Sequence, residues 1–341
     1  MKSNVTKYGI SFTLLIGAML FAISIGSVSV PILDIVKVIG SEAFRLPVGA
    51  DVDPMYVSIV YEIRLPRVLL AGLVGASLAI AGAAFQGLLR NPLAEPYILG
   101  VSSGASVGAV ATLFFGISLP VIGMFTLPFL SIITALATII IVLYFARKID
   151  RTMRVETIIL TGIIFSAFLG SVISLIIALT GDELQQIIGW LLGSVSMRGW
   201  SYVGIILPFF IFGSLILLMN TKELNAMSLG EERAQHLGVD VGKRKMLILI
   251  AGSILTGAAV AVSGTIGFVG LVIPHLTRKL WGSDHVHLLP LSMIIGASFL
   301  ILTDLLSRTI ISPQVLPVGV ITALVGAPVF AIILIKQRRR S

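Results

Sequence analysis

The sequence contains no cysteine, which excludes disulfides, thiolate metal sites and cysteine nucleophiles. Charge is scarce too: Asp, Glu, Lys and Arg make up 12% of the residues, about half the ~25% of an ordinary soluble domain. Histidine occurs only at His236, His275, His285 and His287. The pair in "DHVH" reads as a solvated loop rather than a metal site, because no further ligand lies near it in sequence. What abounds is apolar: 57% of the chain is hydrophobic and the mean hydropathy is +1.06. Those proportions define an integral membrane protein.

A span needs about 20 mostly apolar residues to cross roughly 30 Å of hydrocarbon. Windows at 8–30, 68–89, 156–180, 201–220 and 315–335, almost free of charge, each supply one, and 288–307 makes a further span. The uncharged stretch Tyr97–Ala146 is long enough for two, divided at "GISLP" near Pro120. The first run, behind "MKSNVTK", is longer than the roughly 7–15 residues of a signal-peptide core and has no A-x-A cleavage site, so it reads as a span. Residues 246–277 are too long for one span and too short for two, with glycines in the middle ("VSGTIGFVG"). The pattern predicts a full span to about Val262, a sharp turn and a short helix over 266–280. Such a break is permissible in a membrane only if neighbouring protein shields its backbone. The total is ten.

Lysine and arginine asymmetry gives the orientation. With both termini cytoplasmic, eighteen of the 24 basic residues fall inside: Lys2, Lys7, Arg90, Arg147, Lys148, Arg151, Arg154, Lys222, Arg233, Lys243, Arg244, Lys245, Arg278, Lys279, Lys336, Arg338, Arg339 and Arg340. Only Lys37, Arg45, Arg64, Arg67, Arg198 and Arg308 remain outside. The net charge of +8 is therefore a topology signal and not a nucleic-acid footprint. Within the spans, small residues recur at four-residue spacing, at Gly75, Ala79, Ala83 and Gly87 and at Gly100, Gly104 and Gly108. Such stripes let helices approach closely.

Catalytic constellations are missing. Asp304 is the one ionisable residue inside a predicted span, and Arg308 four residues on is its expected ion-pair partner. A proton-coupled carrier needs a buried carboxylate or histidine relay mid-span, and none is visible. "GVDVGKRK" reads G-x-x-x-G-K-R, one residue short of a phosphate loop and without its Ser or Thr. "GTIGFVG" has the wrong spacing for a dinucleotide fingerprint. No motif for ATP is present, so the chain is not expected to be an enzyme.

Two polar segments carry the remaining information. "RNPLAEP", 90–96, holds two prolines that forbid helix continuation and make a stiff turn, either a plain connector or part of a mouth. "LNAMSLGEERAQHLG" reads as a short helix ending at Gly238, after which Asp240 and "KRK" return the chain to the membrane. A docking surface suits it better than a solvated loop, because Leu229 and Leu237 would be wasted in water.

Four stretches, "RLPRVLLAGLVGASLAIAGAAFQGLLRNPLAEPYILGVSSGASVGA", "SLGEERAQHLGV", "VSGTIGFVGLVIPHLTR" and "LPVGVITALVGAPVFAIIL", resemble the FecCD-type permeases of ABC importers for iron-siderophores, haem and cobalamin. The resemblance runs from about Arg64 to Lys336 in order. It implies an all-α polytopic membrane protein of about ten transmembrane helices with the type II ABC importer permease fold, a single domain over 1–341 in a bacterial plasma membrane. Its implied partners are a second permease chain, identical or paralogous, two cytoplasmic ATPase subunits that carry the ATP and Mg, and an extracytoplasmic substrate-binding protein. The chain itself would hold no cofactor and no metal.

Residue by residue, the resemblance places ATPase coupling on Leu229, Gly230, Glu231, Ala234, Leu237 and Gly238, within a cytoplasmic segment 222–245. It places binding-protein docking on Arg64, Arg67 and Arg308, in an outer region around 31–67 and 308–316; Asp304 competes there as an internal partner of Arg308. The turn Asn91, Pro92 and Leu93 matches the inner gate, and Thr161, Ser166, Ser171 and Ser174 would line the path. An iron(III)-siderophore is the expected cargo, with cobalamin or haem as the alternative. A secondary transporter or channel is the rival class; it predicts intramembrane charges that this sequence lacks.

Overall fold

The computed structural model describes residues 4–47 and 52–338, so Lys2, Arg339 and Arg340 of the basic inner set lie outside the described residues. Its helices are α1 (Asn4–Ser24), α2 (Ile32–Phe44), α3 (Pro54–Val57), α4 (Leu65–Leu88), α5 (Val101–Phe114), α6 (Thr126–Ile149), α7 (Val155–Leu179), α8 (Leu184–Leu191), α9 (Trp200–Met219), α10 (Thr221–Ser228), α11 (Glu231–His236), α12 (Val241–Ser263), α13 (Val269–Trp281), α14 (His285–Thr309) and α15 (Val318–Arg338). No strand occurs among the described residues. A π-helical stretch, Ser58–Arg64, joins α3 to α4 without a break.

Seven of these segments are long and apolar enough to cross a membrane: α1, the continuous Pro54–Leu88, Gly123–Ile149 with α6, α7, α9, α12 and α14. Helices α5, α13 and α15 occupy the other predicted spans. The first span stops at Ser24, short of the expected residue 30, and α2 and α8 lie in connections between the predicted spans.

α4 is the axis. In its most apolar window 83% of residues are buried, against 6% in α7. Composition explains the contrast: α4 is built from Ala and Gly and packs on α14, α12, α13 and α9. α7 carries Leu160, Ile163, Ile164, Phe168 and Leu175 outward, a face for lipid or for another chain. Where no hydrophobic effect drives helices together, close van der Waals approach must do so. A Cβ at Gly75 would stand 2.3 Å from the Gly296 carbonyl oxygen, and one at Gly82 would stand 1.9 Å from that of Gly270. The predicted stripe is thus the α4–α14 seam, while Gly82, which the stripe left out, is the α4–α13 contact.

Gly82→Ala is therefore expected to overpack this seam and cost about 1–3 kcal/mol, read as a lower midpoint when heated detergent samples are followed by size-exclusion chromatography. Gly17→Ala is the comparison, because a Cβ there meets nothing within 4 Å. Equal losses in both variants would refute the packing argument.

Candidate functional site

The centre of the site is the break between α12 and α13. The chain leaves the helix at Gly264 (φ 69°) and re-enters after Phe268 (φ 68°). In apolar surroundings every unpaired backbone group there would cost several kcal/mol. Neighbouring segments supply the partners. The Tyr97 hydroxyl donates to the Ile266 carbonyl at 2.7 Å and accepts from the Ile266 N–H at 3.1 Å. Glu95 Oε1 accepts from the Phe268 N–H at 3.1 Å. The Thr265 hydroxyl donates to the Leu191 carbonyl, and the Ser194 N–H donates to that of Ser263 at 2.7 Å. The break is shielded by protein, as the sequence reading required.

At the end of the bundle where α1 begins, the turn after α4 is a fixed structure. Arg90 lies at φ 48°, the Asn91 N–H donates to the Gln86 carbonyl at 3.2 Å, and Asn91 Oδ1 accepts from the Leu93 N–H at 2.9 Å. Beside this turn, the segment expected to be one short helix is two, because Gly230 takes φ 114°, a conformation that breaks the helix and that L side chains rarely adopt. Ala234 is buried under α11, whereas Leu229 and Leu237 are 58% and 66% exposed. Gly238, at φ 83°, closes α11 with its N–H on the Gln235 carbonyl at 2.9 Å, in the role read for it.

Glu231 is an anchor. Its carboxylate pairs at 2.7 Å with the ammonium of Lys245, which is 2% exposed and also donates to the Met153 carbonyl at 2.9 Å. Asp240 caps α12 by accepting from the Lys243 N–H at 3.1 Å, so "VGKRK" opens a helix and is not a loop. An open cleft of about 610 Å³ joins the two regions, lined by Arg90, Pro92, Asn225, Leu229, Arg278 and His285 among others.

The "DHVH" reading is corrected here. His285 is buried and its Nδ1 meets Asn225 Oδ1 at 2.8 Å, while His287 sits 3.2 Å from both the Tyr8 hydroxyl and Asn4 Nδ2. These histidines tie α14 to α10 and α1, contacts from distant sequence that a local reading could not see. The Asn225 amide also donates to Asp284 at 2.7 Å and holds that carboxyl below its ordinary range.

At the opposite end, Arg64, Arg67 and Arg308 converge, but they point inward. Arg67 grips Asp304 with two nitrogens, at 2.8 to 3.1 Å. Arg308, expected to be the main partner of Asp304, approaches it only to 3.9 Å and donates to the Ala22 carbonyl. Arg64 is 5% exposed and donates to the carbonyls of Ile23, Ser24 and Val28. The arginines expected to dock a binding protein are thus largely turned inward, Arg67 and Arg308 toward Asp304 and Arg64 toward the end of α1.

The four α7 residues do not share a face. Thr161 is buried and bonds its own helix at Thr157, so it lines no open path; Gly162 beside it packs on the Ile98 carbonyl. Ser166 is half-buried near Gly100. Ser171 and Ser174 lie on the exposed side.

Comparison with known proteins gives this architecture its class. The model of the FecCD transport family matches residues 14–336. The chain is 64% identical to the uncharacterized ABC transporter permease protein YvrB of Bacillus subtilis (strain 168), over 97% of this chain and 94% of that protein. It is 35% identical to the molybdate import system permease protein MolB of Haemophilus influenzae, over 97% and 96%. A solved inward-facing structure of a metal-chelate type ABC transporter superimposes with a TM-score of 0.84 at 34% identity, over 97% of this chain and 99% of that one. Permeases named for cobalamin (Halobacterium salinarum), hemin (Yersinia pestis) and Fe(3+) dicitrate (Escherichia coli) are further relatives. The fold is that of a multi-pass ABC importer permease. The chain belongs to the FecCD transport family.

Removing the one carboxylate of the arginine network leaves buried guanidinium charge uncompensated, so Asp304→Ala should destabilise the protein by about 3–5 kcal/mol. The double variant Arg67→Met/Asp304→Leu should recover most of that loss. A detergent melt in which the single and double variants fall equally would contradict the pairing.

Proposed function

We propose that this chain forms, with a second permease, the path by which a ferric siderophore enters a bacterial cell, with both termini on the cytoplasmic side. Two ATPase subunits carrying ATP and Mg would grip the α10–α11 end, and an extracytoplasmic binding protein would deliver the cargo to the arginine end. The observation that carries the reading is the exposure of Leu229 and Leu237 on a helix pair held rigid from behind by Ala234 and the Glu231–Lys245 pair. Apolar side chains of that size, clear of the spans and mounted on a fixed base, are what a soluble partner's cleft would bury.

The gate reading is supported by proximity. A Cβ at Gly230 would lie 3.7 Å from the Arg90 guanidinium, and Pro92 and Leu229 share one cleft. A displacement of α11 is thereby delivered to the Asn91–Pro92–Leu93 turn, the kind of element whose two positions alternate access requires. Docking at Arg64, Arg67 and Arg308 is retained in altered form. Two guanidinium groups on a single carboxylate, with Arg64 beside them on the end of α1, leave positive potential at that mouth, which would steer an acidic partner without direct contact at Arg64.

A ferric siderophore is preferred because a preformed chelate needs no protein ligands, and neutral Ser171 and Ser174 on the outer side of α7 suit such a cargo. Cobalamin and haem fit the same chemistry.

Leu229→Asp/Leu237→Asp should abolish co-purification with the ATPase while the permease keeps its melting midpoint, since both side chains are exposed in the isolated chain. A double variant that still assembles and transports would sink the coupling reading. Titrating the cognate binding protein separates the cargoes: tight, saturable binding of a corrinoid with none of a ferric siderophore would overturn the siderophore assignment alone.

A further inference from the structure

A second cavity, of about 280 Å³, lies between the α6–α7 turn and the first turn of α12. Its wall carries Arg147, Arg151, Thr152, Lys243 and Lys245, four cationic side chains on one cavity. The carboxylates near it are already engaged. Asp150 accepts from the Thr152 hydroxyl at 2.6 Å and from Arg154 Nε at 2.9 Å, bonds that hold it well below the usual carboxylate range. Glu231 neutralises Lys245, and Asp240 caps the α12 backbone. Arg147, Arg151 and Lys243 have no ion-pair or hydrogen-bond partner among the described side chains. The N-terminus of a 23-residue helix adds its positive end to the same wall.

The cations are anchored at the boundary of the apolar zone. Tyr144 and Ile140, three and seven residues before Arg147 on α6, are exposed, and Lys148 lies 5.7 Å over the Tyr144 ring. Met246 lines the cavity on α12, and Ile250 one turn further is exposed. Since α6 packs on α12, two apolar stripes run from the basic cavity down into the bundle's outer surface. An interfacial tyrosine and basic residues above apolar stripes mark the headgroup level of a bilayer.

We propose that this cavity binds the phosphate of an anionic membrane phospholipid, with Arg147, Arg151 and Lys243 around the phosphate and the acyl chains along the α6 and α12 stripes. Phosphate charge suits guanidinium forks and a helix N-terminus, and basic pockets between membrane helices recognise anionic headgroups. The stripes select a lipid over free phosphate, because a soluble anion would leave them without a role. Bound there, the lipid joins the α6–α7 turn to α12 beside the Glu231–Lys245 anchor.

The test is native mass spectrometry of the full chain, delipidated in detergent and titrated with dioleoyl phosphatidylglycerol, dioleoyl phosphatidylcholine and inorganic phosphate in separate arms. One phosphatidylglycerol should bind saturably and more tightly than phosphatidylcholine. Arg147→Gln, Arg151→Gln and Lys243→Gln should each weaken it about fivefold, and the triple variant about 100-fold. Lys148→Gln, whose ammonium lies over Tyr144, should leave binding unchanged; the single variants keep the test valid if the triple variant fails to fold. Equal phosphatidylglycerol affinity in wild type and variants, or equal binding of phosphatidylcholine, would overturn the site. Inorganic phosphate displacing phosphatidylglycerol at comparable concentration would make it a soluble-anion pocket, and intact lipid binding with lost ATPase co-purification would make it a protein contact; either result overturns the lipid assignment.

Discussion

The backbone at 264–268 must leave the helix inside an apolar bundle, and the rest of the molecule is arranged around finding it partners. Water is not available to the N–H and C=O groups there, so protein has to supply the bonds. Tyr97 and Glu95 supply three of them from the connection that follows α4. That connection is consequently not a free loop. Its residues 90–95 are held at one end by the Asn91 turn and at the other by α13's first backbone groups, so the turn and the broken helix form one mechanical piece.

The same piece reaches the surface through Arg90, which faces Gly230, and through Pro92, which shares a cleft with Leu229. A force on α11 therefore has a short, stiff route inward: α11 to the 90–93 turn, then Glu95 to Phe268. Close packing keeps this route from dissipating. With Gly75 against Gly296 and Gly82 against Gly270, α4 cannot slide on α14 or α13 without backbone collision. Any movement passed along this route depends on the small residues of α4 as much as on the α10–α11 segment.

Those two features differ in how far the sequence exposed them. Spans were legible because hydropathy and length state the bilayer thickness directly, and the break near 264 was legible because a 32-residue apolar run with central glycines fits no regular arrangement. The short α2 and α8 were not, since 13 and 8 residues between spans carry too little periodicity to separate helix from loop. The α10–α11 segment was readable as a docking candidate by its polarity, but the split at Gly230 was not, as glycine in a helical pattern has several uses. The histidines failed for a different reason. His285 and His287 find Asn225, Tyr8 and Asn4, which are 60 to 283 residues away, and only the fold brings them together.

The arginine end shows why a charge rule can locate a group without giving its role. Positive residues outside need a reason, and the reason the family resemblance implied was a docking protein. The structure supplies a nearer one. α1 ends at Ser24, and its last carbonyls, those of Ala22, Ile23 and Ser24, have no helical partner. Arg308 and Arg64 donate to them, while Arg67 takes Asp304. The negative end of α1 and one carboxylate together compensate three guanidinium groups, a balance that favours cations at a helix C-terminus. Because the carbonyls carry only partial charge, the network stays net positive at the mouth. The same three arginines can then fasten α1 to α4 and α14 and still leave net positive charge at that end of the bundle.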